Sequence, residues 1–392
     1  MTELLLKIFI KNSNDTDNPV VRQKYGMLSG IVGITCNIIL FLLKFLAGII
    51  TGAVSVAADA FNNLSDAGSS IVTFIGFKVS GKPADTEHPF GHGRIEYISG
   101  LIVAAAIIVM GVELFRSSVA RIFNPDEMYF SILSVIILVG SILMKTWMFL
   151  FNRSLGKRID SKVMLATAAD SLGDVITTSA TVISIVICHF TSINVDAIAG
   201  LIVSGIVIWS GVSIAKDTLE PLIGQRVPSE LYQKITDMVE SYEGIVGAHD
   251  LIVHNYGPNR SMATIHAEVP NDVSIEASHE IIDRIERDAK KELNILLVIH
   301  MDPVEMRDEE VLELRDKTSH IVHALDPELH FHDFRVLKEN EQKNLIFDLV
   351  VPDSHTEKDA NRVMHQLIAL LHEMEKNVDC IITLDRSFEA PK

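Results

Sequence analysis

Residues 58–66 read ADAFNNLSD and interrupt one of the most apolar parts of the chain. Upstream, 30–57 read GIVGITCNIILFLLKFLAGIITGAVSVA, and downstream, 67–77 read AGSSIVTFIGF. Lipid lacks water to solvate a carboxylate, so one at membrane depth costs at least a few kcal/mol. Asn62 and Asp66 are four apart and share one face of a helix, with Asp59 about one turn before Asn62. A second apolar stretch repeats the pattern. In ATAADSLGDVITTSA (166–180), Asp170 and Asp174 are again four apart.

Two i, i+4 pairs on two apolar segments call for compensating charge. Lys44 and Lys145, on neighbouring apolar segments, are possible partners, and a bound cation is the simpler one. The plainer alternative is a polar seam between helices, hydrogen-bonded to Ser and Thr, a role that suits Asn better than Asp. As ligands, Asn62 offers an amide oxygen and Asp66, Asp170 and Asp174 offer carboxylates. An all-oxygen set suits Mn²⁺, Mg²⁺ and Ca²⁺, whereas Zn²⁺ sites usually include imidazole or thiolate. Clustered carboxylates also repel one another and favour sharing a proton, which makes the group a natural exchanger of protons for metal.

The rest of the chain fits a membrane setting. The 392 residues have a mean hydropathy of +0.29, and nearly all long apolar runs precede residue 217. Spans of about 20 apolar residues are expected near 27–50, 54–78, 96–115, 130–151, 163–189 and 195–215. Basic residues cluster before the first span (Lys11, Arg22, Lys24), between the second and third (Lys78, Lys82, Arg94) and between the fourth and fifth (Arg153, Lys157, Arg158, Lys162), and Lys216 follows the sixth. The other side carries mainly Arg116 and Arg121 beside Asp126 and Glu127. The positive-inside rule puts both termini in the cytoplasm. The opening MTELLLKIFI lacks a small-residue cleavage site and is not expected to be a signal peptide.

The net charge is −17, with much of the acidic excess in the second half. That argues against nucleic acid as a partner and is compatible with divalent cations or with plain solubility. Three widely separated cysteines, Cys36, Cys188 and Cys380, form no CxxC and no disulfide framework. No nucleophile arrangement or nucleotide loop suggests an enzyme.

Residues 230–303 alternate as helix, strand, strand, helix, strand, and the pattern then recurs. GAHDLIVHNYG is echoed by HFHDFRVLKEN, ATIHAEVP by LIFDLVVP, and VIHMDP by IITLDR, at an offset of 82 or 83 residues.

Together ADAFNNLSD, HPFGHGRIEY (88–97), DSLGD (170–174), GAHD (247–250) and IHMDP (299–303) resemble the cation diffusion facilitator family of divalent-metal transporters, over about residues 20–305. The resemblance implies an all-α six-helix transmembrane domain followed by cytoplasmic α+β ferredoxin-like domains, a homodimer, and export of metal in exchange for protons from a cell membrane. The corresponding domains are an N-terminal cytoplasmic segment (1–25), the six-span domain (26–216), a ferredoxin-like domain (217–305) and a second, degenerate repeat (306–392).

By position, Asn62, Asp66, Asp170 and Asp174 fall on the family's transport site, between spans 2 and 5. Zinc-selective members commonly carry histidine there, so this sequence looks like the manganese-exporting branch. A Zn²⁺, Co²⁺ or Fe²⁺ exporter, or a membrane metal sensor, is the alternative. Asp59 falls beside the site, as a supporting or pathway residue. In the loop 83–97, Asp85, His88 and His92 have metal-ligand types and close spacing, and some family members bind metal there; a capped turn with Gly91 and Gly93 supplying the bend is the alternative.

His249, His266, His279, His300 and Asp302 fall on the family's cytoplasmic metal-site positions, with surface histidines as the plain alternative. In the second repeat His332 and Asp385 match His249 and Asp302, but Asp348 replaces His266, Thr383 replaces His300, and nothing matches His279. That repeat is expected to have lost its metal site and to serve dimer contacts or regulation, with His320, His323 and His330 solvated. No organic cofactor is expected.

Overall fold

A computed structural model describes residues 2–16, 18–51, 54–123, 132–191, 195–258, 260–339, 342–352 and 354–386. Asp126 and Glu127 lie outside the described residues. The chain divides into two compact units, residues Met1–Gln225 with Asn255–Arg260, and Arg226–His254 with Ser261–Lys392.

The first unit is helical. A short helix, α1 (Thr2–Phe9), precedes six long ones: α2 (Pro19–Thr51), α3 (Val54–Ser80), α4 (Ile95–Phe123), α5 (Ile132–Arg158), α6 (Lys162–Thr191) and α7 (Asp196–Ile223). The last of these continues past the expected boundary at 216. Among the described residues, five of the six, all but α3, are both long enough and apolar enough to cross a membrane. At 27 residues, α3 reaches about 40 Å at ~1.5 Å per residue, which exceeds a hydrocarbon core of ~30 Å. Its length therefore suffices, and it is Asp59, Asn62, Asn63 and Asp66 that make it more polar than the others.

Small residues let these helices close on one another. A Cβ on Gly30 of α2 would lie 2.6 Å from Cβ and 2.9 Å from Cα of Phe74 on α3, so backbones meet there. On α4 and α7, a Cβ on Gly111 would lie 3.1 Å from the backbone nitrogen of Ile208, and one on Gly211 would lie 3.2 Å from that of Ile108.

Polar links tie the helix ends together. Arg22 Nη2 donates to Glu96 Oε1 at 2.7 Å, and Ser161 Oγ donates to the same oxygen at 2.8 Å. All three side chains are buried. The network fastens the starts of α2 and α4 to the α5–α6 turn. Deeper, Ser29 Oγ donates to Asn152 Oδ1 at 2.6 Å, joining α2 to α5, and the Thr73 and Thr167 hydroxyls lie 3.3 Å apart, joining α3 to α6.

The second unit holds two copies of one αββαβ pattern. The first copy is α8 (Ser229–Glu240), β1 (Gly247–Asn255), β2 (Ser261–Pro270), α9 (Ile275–Glu292) and β3 (Ile295–Val304), with sheet order β1-β2-β3. The second is α10 (Glu309–Leu325), β4 (His330–Glu339), β5 (Gln342–Val350), α11 (Glu357–Met374) and β6 (Val378–Asp385), with order β4-β5-β6.

In each copy the last two strands are parallel, joined by a helical crossover. The registers agree: His266 pairs with His300 and Glu268 with Asp302, and at the matching places Asp348 pairs with Thr383 and Val350 with Asp385. Each copy closes over its own apolar core, around Leu251, Ile265, Ile285 and Leu297 in the first and around Leu345, Phe347, Leu367 and Leu371 in the second. The repetition extends to a backbone irregularity. Asp250 and Asp333, each following a histidine at the equivalent point of β1 and β4, both have left-handed φ, 53° and 55°. An aspartate tolerates that conformation better than most side chains because it can hydrogen-bond locally.

Candidate metal centres

On α3 and α6 the four-residue spacing brings carboxylates onto facing stripes. One oxygen each of Asp66, Asp170 and Asp174 lies within 4.8 Å of the others. At that separation each charged pair repels by roughly 3–4 kcal/mol at an effective dielectric of about 20, so the cluster requires positive charge.

In this structure Lys145 of α5 supplies it. Its Nζ donates to Asp66 Oδ2 at 2.7 Å and to Asp174 Oδ2 at 2.5 Å. Lys145 and Asp66 are almost fully buried, and Asp174 is 17% exposed. With all groups ionised, three carboxylates and one ammonium leave a charge of −2, the complement of one divalent cation. Asp66 Oδ1 is buried and accepts no hydrogen bond among the described residues, which gives the site an acceptor aimed inward without a donor.

Asn62 lies one turn before Asp66 on α3 and is exposed in the single chain. Asp59 is on the same helix, but its side chain is outside the described residues. Lys145 is one of the two lysines that the sequence offers as partners, beside a bound cation. The structure gives the lysine to the carboxylates directly, which charge counting along the chain could suggest but not decide.

In the 83–97 loop, Asp85, His88 and His92 do converge. The His88 and His92 rings are 4.5 Å apart, and His92 Nε2 lies 3.5 Å from Asp85 Oδ2. Asp85 Oδ1 also accepts the backbone N–H groups of His88 at 2.7 Å and Glu87 at 3.1 Å. The His88 backbone bond foremost holds the Asp85 carboxyl below its usual range. Gly91 sits at φ +79°, so the capped turn is built as well, and the turn and the ligand cluster share the same residues.

The second unit gathers His249, His266 and Asp302, with one ligand atom of each within 4.8 Å. His266 Nδ1 is 2.8 Å from Asp302 Oδ2, His249 Nε2 is 3.4 Å from the same oxygen, and His300 Nε2 is 3.5 Å from Asp302 Oδ1. The parallel β2–β3 register explains the group, since it sets His266 beside His300 two residues before Asp302. Burial opposes ionisation of Asp302, yet the adjacent His249 and His266 rings hold its carboxyl below the usual range. His279 is exposed on α9, and the carboxylate and imidazole groups found among the described residues do not include it.

A further convergence was missed by sequence reasoning. His249 and Asp250 of β1 meet His332 of β4 within the same 4.8 Å limit, and the His249 and His332 rings stack at 4.1 Å. Burial and the neighbouring His249 push His332 down to about 4. Burial, then the charge of Asp385, pushes Asp250 up to about 6. The one signal was the duplicated His-Asp dipeptide at 249–250 and 332–333. Reading the second copy as a broken site concealed that its histidine could serve the first.

The comparisons agree with this architecture. The family model for the cation efflux transmembrane domain matches residues 30–223, and that for the cation efflux protein cytoplasmic domain matches 227–304. The chain is 28% identical over 251 residues to an uncharacterized transporter of Methanocaldococcus jannaschii, covering 64% of this chain and 88% of that one. It is 27% identical over 290 residues to the manganese efflux system protein MneS of Bacillus subtilis (72% of this chain, 98% of that one). It is 26% identical over 287 residues to the cation-efflux pump FieF of Escherichia coli (72% and 95%).

Proposed function

This chain belongs to the cation efflux family and is a transporter of divalent metal cations, and we propose that it exports Mn²⁺ from the cytoplasm in exchange for protons, through Asn62, Asp66, Asp170 and Asp174. The observation that carries the reading is the trio of carboxylates on α3 and α6, Asp66 buried and Asp170 and Asp174 partly so, with its residual charge of −2 and its undonated Asp66 Oδ1. Oxygen-only ligation favours Mn²⁺ over Zn²⁺, and MneS, among the relatives, is named for manganese efflux. FieF is about as similar and is named for cation efflux generally, so Zn²⁺, Co²⁺ and Fe²⁺ are the competing cargoes.

In this reading Lys145 is a tethered stand-in for the cargo. Its ammonium neutralises part of the cluster between transport events and yields Asp66 and Asp174 to an arriving cation. The carboxylates act on protons as a set, so metal loading releases protons and protons from the far side release metal. Both termini face the cytoplasm, and the protein works as a homodimer in the cell membrane. The second unit binds metal through His249, His266, His300 and Asp302, and the 83–97 loop stands at the cytoplasmic entrance.

A second reading draws on the same lysine. Lys145 with Asp66 and Asp174 would be a structural ion-pair seam, as in a sensor that binds metal outside the membrane. Everted vesicles loaded with a metal-sensitive dye separate the two. Mn²⁺ uptake coupled to proton efflux, lost in Asp66→Asn, is expected; undiminished transport by that variant would remove the assignment.

A further inference from the structure

The two αββαβ repeats of the second unit bring equivalent histidines face to face. His249 follows Ala248 in β1, His332 follows Phe331 in β4, and their rings stack at 4.1 Å with an interplanar angle of 23°. Around them the acids come from both repeats. His332 Nε2 is 3.5 Å from Asp250 Oδ1 of the first repeat and 3.7 Å from Asp385 Oδ2 of its own.

Those separations are long for hydrogen bonds, and His332 makes none among the described residues. Among the described residues His332 Nδ1 and Nε2 are buried without a hydrogen-bond partner, as is His249 Nε2, which lies 3.4 Å from Asp302 Oδ2, and both residues are 9% exposed. Native proteins seldom leave buried ring nitrogens in that condition unless something else occupies them. The separations do match another arrangement. Ligands about 2.1 Å from a tetrahedral zinc ion lie about 3.4 Å from one another.

We propose that His249, Asp250, His332 and Asp385 form a divalent-cation site between the two repeats. It is a mixed nitrogen and oxygen site of the kind that suits Zn²⁺, and it differs from the His249–His266–His300–Asp302 group, which the first repeat builds alone. A cation held there staples the repeats together, and because His249 is common to both groups, the two are coupled. The second repeat is then a built-in partner that completes a site on the first, which accounts for its keeping His332 and Asp385 while losing histidine at 348 and 383.

The test uses the full chain in detergent, in an Asp174→Asn background so that the intramembrane carboxylates contribute little. Bound Zn²⁺ is counted by equilibrium dialysis, and the site is probed by the visible absorption of Co²⁺. His332→Gln and Asp385→Asn should each lose one equivalent of metal per chain, or weaken it at least tenfold, whereas His300→Gln should retain it. Without metal, His332→Gln should melt at or above the parent temperature, since it removes unpartnered nitrogens. With Zn²⁺, the parent should gain stability that His332→Gln does not.

Unchanged stoichiometry and affinity in both His332→Gln and Asp385→Asn would overturn the proposal. If His332→Gln fails to fold, Asp385→Asn decides alone, because Asp385 is 27% exposed and its isosteric change is tolerated. Absence of metal transport in vesicles carrying the parent chain would count against the proposed function and leave these metal counts untouched.

Discussion

The carboxylate cluster on α3 and α6 and the imidazole clusters of the second unit solve the same problem in opposite ways. In the helical unit three acids are partly balanced by an ammonium carried on the protein itself, at 2.5 and 2.7 Å from two of them. In the α+β unit rings and carboxylates stand 2.8 to 3.7 Å apart, and several of the ring nitrogens make no hydrogen bond among the described residues. The difference follows from the medium. An uncompensated charge inside a bilayer is too costly to persist between transport events, so a counter-charge must be at hand. A neutral imidazole carries no such cost and can wait for a metal. Under the proposed function, release is natural at the first kind of site, where Lys145 competes with the cargo, and retention at the second, where no tethered cation competes among the described residues.

The comparison breaks most readily at the carboxylates. Asp174→Asn should reduce Mn²⁺ transport in everted vesicles on the order of 100-fold or more, beyond the 10–100-fold typical of residues that only support ligands; a loss of less than tenfold would move the site elsewhere. Lys145→Met leaves buried acids without their partner, which typically destabilises by about 3–5 kcal/mol. If the lysine stands in for cargo, saturating Mn²⁺ should restore most of the lost melting temperature. A purely structural seam would leave the variant unstable at any metal concentration.

A smaller effect lies in the pH dependence of the second unit. His332 is held at about 4, below the usual 6.5, so the unfolded chain takes up its proton first. Protonating it in the fold therefore carries a penalty, absent above about 6.5, that grows as pH falls from there toward 4. Asp250, raised from 3.8 to about 6, has the opposite sense: its contribution is present below about 3.8 and lost as pH rises through 6. Metal-free melting of the parent minus that of His332→Gln should therefore fall with acidification between pH 6.5 and 4. A flat difference would mean that the His332 ring is not buried as described.

The smallest effect concerns cargo choice. Asn62→His should shift competition between Mn²⁺ and Zn²⁺ toward Zn²⁺ by about tenfold, roughly 1.4 kcal/mol. Since Asn62 is exposed in the single chain, an unchanged ratio would assign selectivity to the three aspartates alone.

Much of this was legible in the residues. Hydropathy marks the helices because a spanning segment must satisfy its backbone internally and present apolar side chains to lipid. The 3.6-residue period places Asp170 with Asp174, and the period-2 strands with an 82–83 residue echo reveal the duplicated αββαβ unit. The chain also gives the transport-site candidates, because a carboxylate in an apolar run is costly unless a cation compensates it. What it leaves open is pairing across distance. Nothing in local pattern tells whether Lys44 or Lys145 reaches the acids, and the answer depends on how α5 packs against α3 and α6. Nor does pattern tell that His332 faces His249, since each repeat folds around its own core and its docking on the other is set by surfaces scattered along the chain. The sequence by itself determined the elements and the chemistry they carry, through short-range periodicity and the cost of charge in lipid. The tertiary structure alone decided which charges and rings meet, because electrostatic and ligand geometry act over a few ångströms between residues that lie 79 and 83 positions apart.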